Sequence, residues 1–329
     1  MHFHTGGRPQ RIFYRVTMKD STYLSHLVRR IKWSDIDEKY VAELVKTARA
    51  EDIEGAGLAV LPKVAADITT RSLTPSIKTV AALCARRDMV VCGMELVRIV
   101  LKVYEEASDD FECKFTPLAK DGDKVSKGAK LGVIEGSARV ILQAERIMLN
   151  FLQRLSGVST ETAKYVEALG DSPTKLLDTR KTTPGLRVLE KYAFACGGGY
   201  NHRIGLFDRV MLKDNHLAAA GASKGERLAA AVRTAREKNA GFAIEVEVDA
   251  LEQIPPVLEA GADVIMLDNF TPELTREAVK IVGGKYETES SGGITFDTIR
   301  DYAECGVDFI SVGALTHSVK GLDMSFKAC

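Results

Sequence analysis

Short apolar runs recur through the second half of the chain, and most of them end in polar or charged residues. Six of these runs predict strands: KLLDTRK, DRVMLKDNH, FAIEVEV, DVIMLDNF, YETESSGG and DFISVGA. The segments between them, such as ERLAAAVRTAREK and TPELTREAVKIV, carry apolar residues at helical spacing. Units of about 20 to 35 residues, each with one strand and one helix, predict parallel strands joined by crossover helices. The pattern therefore predicts an α/β barrel or an incomplete one.

The first half of the chain mixes helices and strands without this regular alternation. An amphipathic helix is predicted from Ser34, as its N-cap, through DIDEKYVAELVKTARAED, and a second helix covers ELVRIVLKVYEEA. Strand-like runs follow the order DMVVCGM, DFECKFTPLAKDGDKV and GAKLGVIEGSARVIL. This order predicts an α+β region. Residues 1–20 form a basic lead-in that we expect to be poorly ordered.

A long helical stretch, residues 144–169, leads from the first half into the second. Its apolar residues recur at helical spacing, and the Ser156 and Gly157 pair predicts a break within it. Upstream, the DGDKVSKG turn is similar to the hairpin of a biotinyl or lipoyl carrier. That interpretation needs a lysine at the tip of a second hairpin, flanked by small or sulfur-bearing residues. No lysine in such a setting follows in the sequence.

The composition is typical of a soluble globular protein, with 45% hydrophobic and 27% charged residues. Lys plus Arg equals Asp plus Glu at 45 each, so no overall field would recruit nucleic acid or an anionic membrane. Six scattered cysteines without metal-site spacing predict reduced thiols in a cytoplasmic protein. No segment has the apolar length of a signal peptide or a membrane span.

Charged and small residues follow the predicted strands. Because the carboxyl ends of barrel strands share one face, these residues are expected to converge there. They are Arg180, Lys181, Lys213, His216, Glu247, Asp268, Ser291, Gly292 and Gly313. Residues 180–216 alone carry seven Lys or Arg and two His against three acids. Clustered cations favour a multivalent anion, so a polyanionic ligand is predicted.

Two acidic residues and the glycines of two late motifs refine this prediction. Glu247 and Asp268 indicate a bridging Mg²⁺ beside an anion, although they could instead neutralise Lys181 and Lys213. The glycines of SSGGIT and SVGALTHS would let backbone amides approach a phosphate. The GGGY run lacks the GxGxxG frame of a dinucleotide site and is predicted to be a flexible loop.

These motifs resemble one family, the quinolinate phosphoribosyltransferases. The matching stretches lie in order between about Met89 and Phe326: AERIMLNFLQRLSG, LLDTRKTTPGLRVLEKYA, GGGYNHRIGLFDRVMLKDNH, IEVEV, IMLDNF, SSGGIT and SVGALTHS. The resemblance implies an N-terminal α/β sandwich-like domain at residues 21–143 and an incomplete TIM-like α/β barrel at 144–316. Residues 317–329 would return to the first domain. Family members are dimers or larger homo-oligomers.

The resemblance also implies a reaction and roles for single residues. The family joins quinolinate to 5-phosphoribosyl 1-pyrophosphate (PRPP) with Mg²⁺, releasing pyrophosphate and CO2 to give nicotinate mononucleotide for NAD synthesis. The residues that would bind quinolinate are Arg146 (from the neighbouring subunit), Arg180, His202, Arg203 and Lys213. Lys181, Glu247 and Asp268 would act on the ribose, pyrophosphate and metal side. Ser291, Gly292 and Gly313 would hold the 5-phosphate, and His216 would add a contact.

The chain also departs from the family pattern. The segment AEDIEGAGLAVLPKVAADITT carries an apparent insertion, and Thr288 and Glu289 predict that the strand containing them is short. Two other functions stay open. One is a paralogue of the same scaffold, such as the molybdenum-transport-associated relatives, which would act on a different acceptor. The other is a non-catalytic regulator that binds PRPP or a nucleotide.

Overall fold

Two large sheets organise the part of the chain that the computed structural model describes, which is residues 27–75, 77–110 and 112–328. One sheet is antiparallel and built mainly from the first half, and the other is parallel and built from the second half. The predicted α/β architecture is thereby confirmed. Residues 1–20, predicted to be poorly ordered, lie outside the described ranges. Within these ranges, no helix combines the length and apolar character needed to cross a bilayer.

Within the described ranges, the first half supplies two α-helices and five strands. They are α1 (Glu38–Glu54), β1 (Lys78–Ala85), β2 (Met89–Val90), α2 (Met94–Glu105), β3 (Lys114–Pro117), β4 (Lys124–Val125) and β5 (Lys130–Ser137). Strands β1, β5 and β3 pair antiparallel, while β2 and β4 form a separate ribbon. Helix α2 buries one face that includes Leu96, Val97 and Val100, and this face joins the main core.

Helix α1 begins later than the sequence predicted. Ser34 lies in a short 3-10 turn, Trp33–Asp35, and the N-cap is Asp37, whose carboxylate accepts the backbone N–H of Lys39 at 2.9 Å. The prediction of Ser34 as the cap is wrong because Asp37 offers an equally good capping oxygen closer to the amphipathic run. Gly55 ends the helix in the left-handed conformation.

Helix α3 (Ala138–Ala168) is continuous, and the predicted break at Ser156 and Gly157 is wrong. Both residues are buried contact points. Ser156 Oγ accepts the backbone N–H of Cys92 at 3.0 Å. A Cβ atom built on Gly157 would lie 2.5 Å from the carbonyl oxygen of Lys320. The small pair therefore lets other segments approach the helix instead of interrupting it, and α3 runs through residue 144, where the second domain was predicted to begin.

We expect Gly157→Ala to destabilise the protein by about 1–3 kcal/mol, because the new methyl group overlaps a backbone carbonyl. Helix propensity alone would give the opposite sign, since alanine is favoured over glycine within helices. Thermal unfolding measures the difference. Asn150→Ala, at an exposed position of the same helix, is the control, and an unchanged or raised melting temperature in Gly157→Ala would contradict the packing argument.

The second half supplies the six strands predicted from its apolar runs. They are β6 (Lys175–Leu177), β7 (Val210–Leu212), β8 (Ile244–Val248), β9 (Val264–Asp268), β10 (Glu287–Ser291) and β11 (Phe309–Ser311). All neighbouring pairs are parallel, in the order β6-β11-β10-β9-β8-β7. In chain order β11 is the last of these strands and β6 the first, and the two pair with each other. The sheet therefore curls into a barrel that stays open between its edge strands, β6 and β7.

Helices connect the barrel strands, and a final strand leaves the barrel. The helices are α4 (Arg187–Cys196), α5 (Asp214–Ala219), α6 (Gly225–Lys238), α7 (Ile254–Glu259), α8 (Pro272–Val282), α9 (Ile299–Ala303) and α10 (Ala314–His317). A 3-10 turn, Leu251–Gln253, precedes α7. The chain then ends in β12 (Met324–Ala328), which pairs antiparallel with β1 and completes the first sheet.

Strand β10 is as long as β8 and β9, so the prediction that it would be short is wrong. Its polar residues are buried: Glu287, Thr288, Glu289 and Ser290 each expose 2% or less of their surface. Polar side chains are tolerated there because the barrel interior contains charged partners, including His202 near Glu289. The rule that buried parallel strands consist of apolar residues therefore does not hold for the side chains that point into this barrel.

Candidate active site

Each residue predicted from a strand end lies where the barrel strands finish. Lys213 follows β7, Glu247 is the fourth residue of β8, and Asp268 ends β9. Ser291 ends β10 and pairs in register with Asp268, while Gly313 follows β11. Because all six strands are parallel, these ends share one edge, which we call the barrel edge.

Lys213, Glu247 and Asp268 form a charged cluster on this edge. The Nζ atom of Lys213 lies 2.9 Å from Oε2 of Glu247, whose side chain is largely buried. Burial raises the pKa of Asp268, and the nearby Glu247 raises it further, while Lys213 and Lys181 lower it. The carboxylates of Glu247 and Asp268 thus lie close to the ammonium groups of Lys213 and Lys181.

Lys181 reaches the barrel edge from the loop after β6 by passing over Gly313. A Cβ atom built on Gly313 would lie 2.8 Å from Cδ of Lys181, so any larger residue would displace the lysine. Thr316 Oγ1 donates to the carbonyl oxygen of Lys181 at 2.6 Å. The same Cβ atom would lie 3.4 Å from Nε2 of His317, an exposed side chain that sequence reasoning missed. The sequence feature that could have identified His317 is its place in the SVGALTHS motif, one helical turn after Gly313.

Asn269 shapes the corner between Asp268 and Gly292, and it was also missed. Its side-chain amide donates to Oδ2 of Asp268 at 2.7 Å, and its backbone N–H donates to the carbonyl oxygen of Ser291 at 2.8 Å. Among the described non-glycine residues, it alone has a positive φ, 57°. A Cβ atom on Gly292 would lie 2.2 Å from Oδ1 of Asn269, so glycine is required there for packing as well as for its φ of 91°.

Arg180 and Arg203 bring two guanidinium groups together at the open side of the barrel. Burial lowers the pKa of Arg203, and the positive charge of Arg180 lowers it further. The Nε atom of Arg180 is buried and has no hydrogen-bond partner in the described part of the chain. Two like charges and an unused donor favour an anionic ligand that supplies oxygens to both side chains.

His202 lies deeper in the barrel than its predicted role requires. Its Nε2 atom is 3.0 Å from Glu245 and 3.5 Å from Glu289, and its Nδ1 atom accepts the backbone N–H of Arg203 at 2.7 Å. Burial opposes its protonation, but the two carboxylates outweigh this and raise the pKa of His202 to about 9. Both ring nitrogens are occupied by protein atoms, so contact with a substrate carboxylate would require one of these interactions to open.

His202, Glu245 and Glu289 together have the donor atoms of a metal site, but Arg209 makes that use unfavourable. Its guanidinium donates to Oε2 of Glu245 at 3.0 Å and lies 3.2 Å from Nε2 of His202. A cationic side chain already contacts two of the three ligand residues, so a metal ion there would meet a like charge. The attraction of His202 and Arg209 outweighs burial and lowers the pKa of Glu245 to about 2.

The excess of positive charge predicted for residues 180–216 is only partly available to a ligand. Lys191 is fully buried and its Nζ atom lies 2.5 Å from Oδ1 of Asp178, while Arg209 pairs with Glu245 inside the barrel. The charge count for this segment therefore includes basic side chains that the structure pairs internally. Arg180, Lys181, Arg203 and Lys213 are the members of this group that the structure places at the barrel edge or its open side.

Two predicted contacts lie at the margin. His216 is exposed in α5, and its Nδ1 atom accepts the backbone N–H of Lys213 at 3.1 Å. Arg146 is exposed on α3, and within the described ranges no hydrogen bond or ion pair connects it to the barrel edge. Within a single subunit, the described contacts therefore do not connect Arg146 with the other predicted site residues.

The GGGY run is part of the barrel, so the prediction of a flexible loop is wrong. Tyr200 pairs with Leu177 in a parallel bridge, and Asn201 pairs with Arg29 in an antiparallel one. A Cβ atom on Gly199 would lie 2.1 Å from the ring of Phe194. The glycines allow this segment to pack closely against α4 beside β6.

Comparison with family models matches nearly all of the described chain. The N-terminal domain model of quinolinate phosphoribosyl transferase matches residues 67–156, and the C-terminal domain model matches residues 158–327. The two matches meet inside helix α3.

Known proteins give the same result. A probable nicotinate-nucleotide pyrophosphorylase [carboxylating] of Bacillus subtilis is 41% identical, covering 79% of this chain and 86% of that protein. The chloroplastic nicotinate-nucleotide pyrophosphorylase [carboxylating] of Arabidopsis thaliana is 39% identical, with 86% and 81% covered. The solved nicotinate-nucleotide pyrophosphorylase of Francisella tularensis superposes with a TM-score of 0.80 at 38% identity, covering 92% of this chain and all of that one.

Proposed function

Because this chain belongs to the quinolinate phosphoribosyl transferase family, we propose that its barrel edge binds quinolinate and PRPP side by side. The enzyme transfers the phosphoribosyl group of PRPP to quinolinate, with loss of pyrophosphate and CO2, in NAD biosynthesis. One observation supports this placement above others. The adjacent guanidinium groups of Arg180 and Arg203 lie on the same barrel as the cluster of Lys213, Glu247 and Asp268.

The two arginines and Lys213 suit the two carboxylates of quinolinate. Guanidinium groups bind carboxylates through paired N–H donors, and the buried Nε atom of Arg180 needs such an acceptor. Lys213 supplies a third positive charge and is held in place by Glu247. We assign His202 an indirect part, in which its Nδ1 atom accepts the backbone N–H of Arg203 and so positions that residue.

The opposite side of the barrel edge suits PRPP. Lys181, held over Gly313, would offset the charge of the leaving pyrophosphate, and Ser291, Gly292 and Gly313 would hold the 5-phosphate. His317 lies beside Gly313 and is a further candidate for the phosphate. Glu247 and Asp268 face the position where positive charge develops on the ribose carbon.

Glu247 and Asp268 also fit a magnesium ion. Mg²⁺ prefers carboxylate and phosphate oxygens, and the raised pKa of Asp268 beside Glu247 indicates negative charge that a divalent cation would stabilise. When bound with PRPP, the ion would neutralise charge on the pyrophosphate. His216, next to Lys213, is placed to add a contact to the same substrate.

The order of bond changes follows from the chemistry of the substrates. The C–O bond between ribose and pyrophosphate breaks, and the ring nitrogen of quinolinate forms the new bond to the ribose carbon. This nitrogen then carries positive charge, so it stabilises the electron pair left on the adjacent ring carbon when CO2 departs. That carbon finally takes a proton. The substrate itself supplies the electron sink, and the protein supplies orientation and charge.

A homodimer or larger homo-oligomer completes the proposal. Arg146 is exposed and separate from the barrel edge of its own chain, so we assign it to the quinolinate carboxylates of a neighbouring subunit. Leu206 and Phe207, at the open side of the barrel, are 73% and 71% exposed, which also favours a subunit contact there. A cytoplasmic location stays a prediction of the sequence.

An assay with quinolinate, PRPP and Mg²⁺ tests the function directly. We expect nicotinate mononucleotide as the product, identified by its mass, and no turnover when Mg²⁺ is chelated. A panel of other pyridine carboxylates is the control for acceptor identity. Turnover of another acceptor but not of quinolinate would favour the paralogue, and calorimetric binding of PRPP without turnover would favour the regulator.

A further inference from the structure

A fully buried polar cluster lies at the carboxyl end of β6, where Asp178 directly follows the last strand residue, Leu177. Asp178 and Lys191 are both completely buried, and the Nζ atom of Lys191 lies 2.5 Å from Oδ1 of Asp178. The side-chain amide of Asn201, 1% exposed, donates to Oδ2 of Asp178 at 2.7 Å and to the carbonyl oxygen of Lys191 at 2.8 Å. We call Asp178, Lys191 and Asn201 the buried triad.

The buried triad fastens two chain segments to each other. Oδ1 of Asp178 also accepts the backbone N–H of His202 at 2.8 Å, and Nζ of Lys191 donates to the carbonyl oxygen of His202 at 3.3 Å. Asp178 lies two residues before Arg180, and His202 directly precedes Arg203. The segments that carry the two guanidinium groups are therefore connected through one set of side chains.

Such a connection is needed because the two arginines repel each other. Burial lowers the pKa of Arg203 and the charge of Arg180 lowers it further, while Glu245 and Asp208 offset part of this effect. Within the described ranges, no hydrogen bond or ion pair joins a carboxylate to both arginines. Without a ligand, the two segments would relax apart unless a neighbouring structure resisted that movement. The buried triad provides this resistance through its hydrogen bonds to the backbone of His202, next to Arg203, and through Asp178, two residues before Arg180.

Stability alone explains the buried triad poorly. Burial raises the pKa of Asp178 despite its partners, and burial lowers the pKa of Lys191 despite its carboxylate. Desolvation thus outweighs mutual attraction on both sides of the pair. An apolar pair of similar volume is often as stable as a buried ion pair, so this cluster has a geometric role to fill.

We propose that Asp178, Lys191 and Asn201 are positioning residues that preset the separation of Arg180 and Arg203 for a dicarboxylate. This inference rests on the proposed function, in which those arginines bind quinolinate. The buried triad touches neither substrate. It acts through the backbone at His202 and the loop after β6, and it therefore governs acceptor affinity more than binding of the phosphorylated sugar.

Two variants test the proposal. Lys191→Met removes the ammonium group, and Asp178→Asn/Lys191→Met removes both charges, so that no single charge stays buried. In both we expect the KM for quinolinate to rise at least about tenfold while the KM for PRPP changes less than about twofold, since misplacement of binding groups weakens only the ligand they contact. Steady-state kinetics with each substrate varied in turn gives both values.

Arg236→Met is the matched control. Arg236 pairs with Asp263 at 2.5 Å at the amino-terminal end of the barrel, far along the strands from the barrel edge. The Arg236→Met variant should have a lower melting temperature than the wild type and unchanged KM values for quinolinate and PRPP. This result would separate general destabilisation from the specific loss of quinolinate affinity.

Three results would overturn the inference. They are equal changes in both KM values, an unchanged quinolinate KM in folded variants, and failure of both variants to fold, which would make the cluster a folding determinant only. Inactivity of the wild-type protein toward quinolinate would instead refute the proposed function. The two failures are thus distinguishable in one experiment.

Discussion

Replacing Lys213 with methionine is expected to lower kcat/KM for the phosphoribosyl transfer about a thousandfold, comparable to the loss of a principal charge-stabilising group. Methionine keeps the length and the apolar stem of the side chain and removes only the ammonium group. The substrate would lose a carboxylate contact. Glu247 would lose its partner at 2.9 Å, and Lys181 would be the remaining ammonium group that lowers the pKa of Asp268.

The same variant distinguishes two roles of the acidic pair. If Glu247 and Asp268 hold Mg²⁺, removal of the neighbouring cation makes the pair more negative, so the half-saturating Mg²⁺ concentration should fall although turnover is low. If Glu247 only neutralises Lys213, the magnesium dependence should not change. Titration of residual activity with Mg²⁺ measures this.

A surface lysine provides the control for Lys213→Met. Lys280 is exposed on α8 and lies outside the proposed site, so Lys280→Met should keep wild-type kinetics. Activity of Lys213→Met within about threefold of wild type would remove Lys213 from the site, since a group that stabilises developing charge costs far more than that.

The barrel could be predicted because its outer positions obey a simple rule. Val246, Ile265 and Leu267 point toward the surrounding helices and join the main core, so their segments are recognisable as buried strands. The same rule failed on the inward face of β10, where Glu289 is buried beside His202. Pattern reasoning follows local hydrophobicity, and a barrel interior that holds buried charged residues falls outside that rule.

The depth of each charged residue could not be read from the sequence. Glu245 and Glu247 are two residues apart and therefore share one face of β8, but Glu247 meets Lys213 at the barrel edge while Glu245 meets Arg209 further inside. Counting charges between residues 180 and 216 treated them as one surface. The alternation in IEVEV was the available signal that two layers of acid exist.

Long-range contacts explain the other differences. Gly157 belongs to an unbroken helix because it packs against Lys320, which lies far away in the sequence. Asn269 adopts its left-handed conformation against Gly292, which lies one helix and one strand later in the chain. A local pattern indicates that a small or flexible residue is needed at such a position. It does not indicate whether a turn or a tertiary partner is the reason.

Mixed dimers of two inactive variants are expected to regain activity if Arg146 serves a neighbouring subunit. In a dimer of Arg146→Ala with Lys213→Met, one site combines an intact barrel with an intact Arg146 from the other chain. The second site carries both defects. Co-expression with two different tags and purification of the mixed species should therefore yield about half of the wild-type turnover per dimer, as follows from two equivalent sites related by a twofold axis.

A second mixed dimer provides the control for this result. Lys213→Met combined with Glu247→Gln places a defect in each barrel, so neither site is intact and activity should stay at the level of the single variants. Recovery in the first pair without recovery in the second requires that Arg146 and Lys213 act on one substrate from different chains. If Arg146 acted within its own chain, both mixed dimers would be equally inactive, and the exposed position of this side chain on α3 would need another explanation.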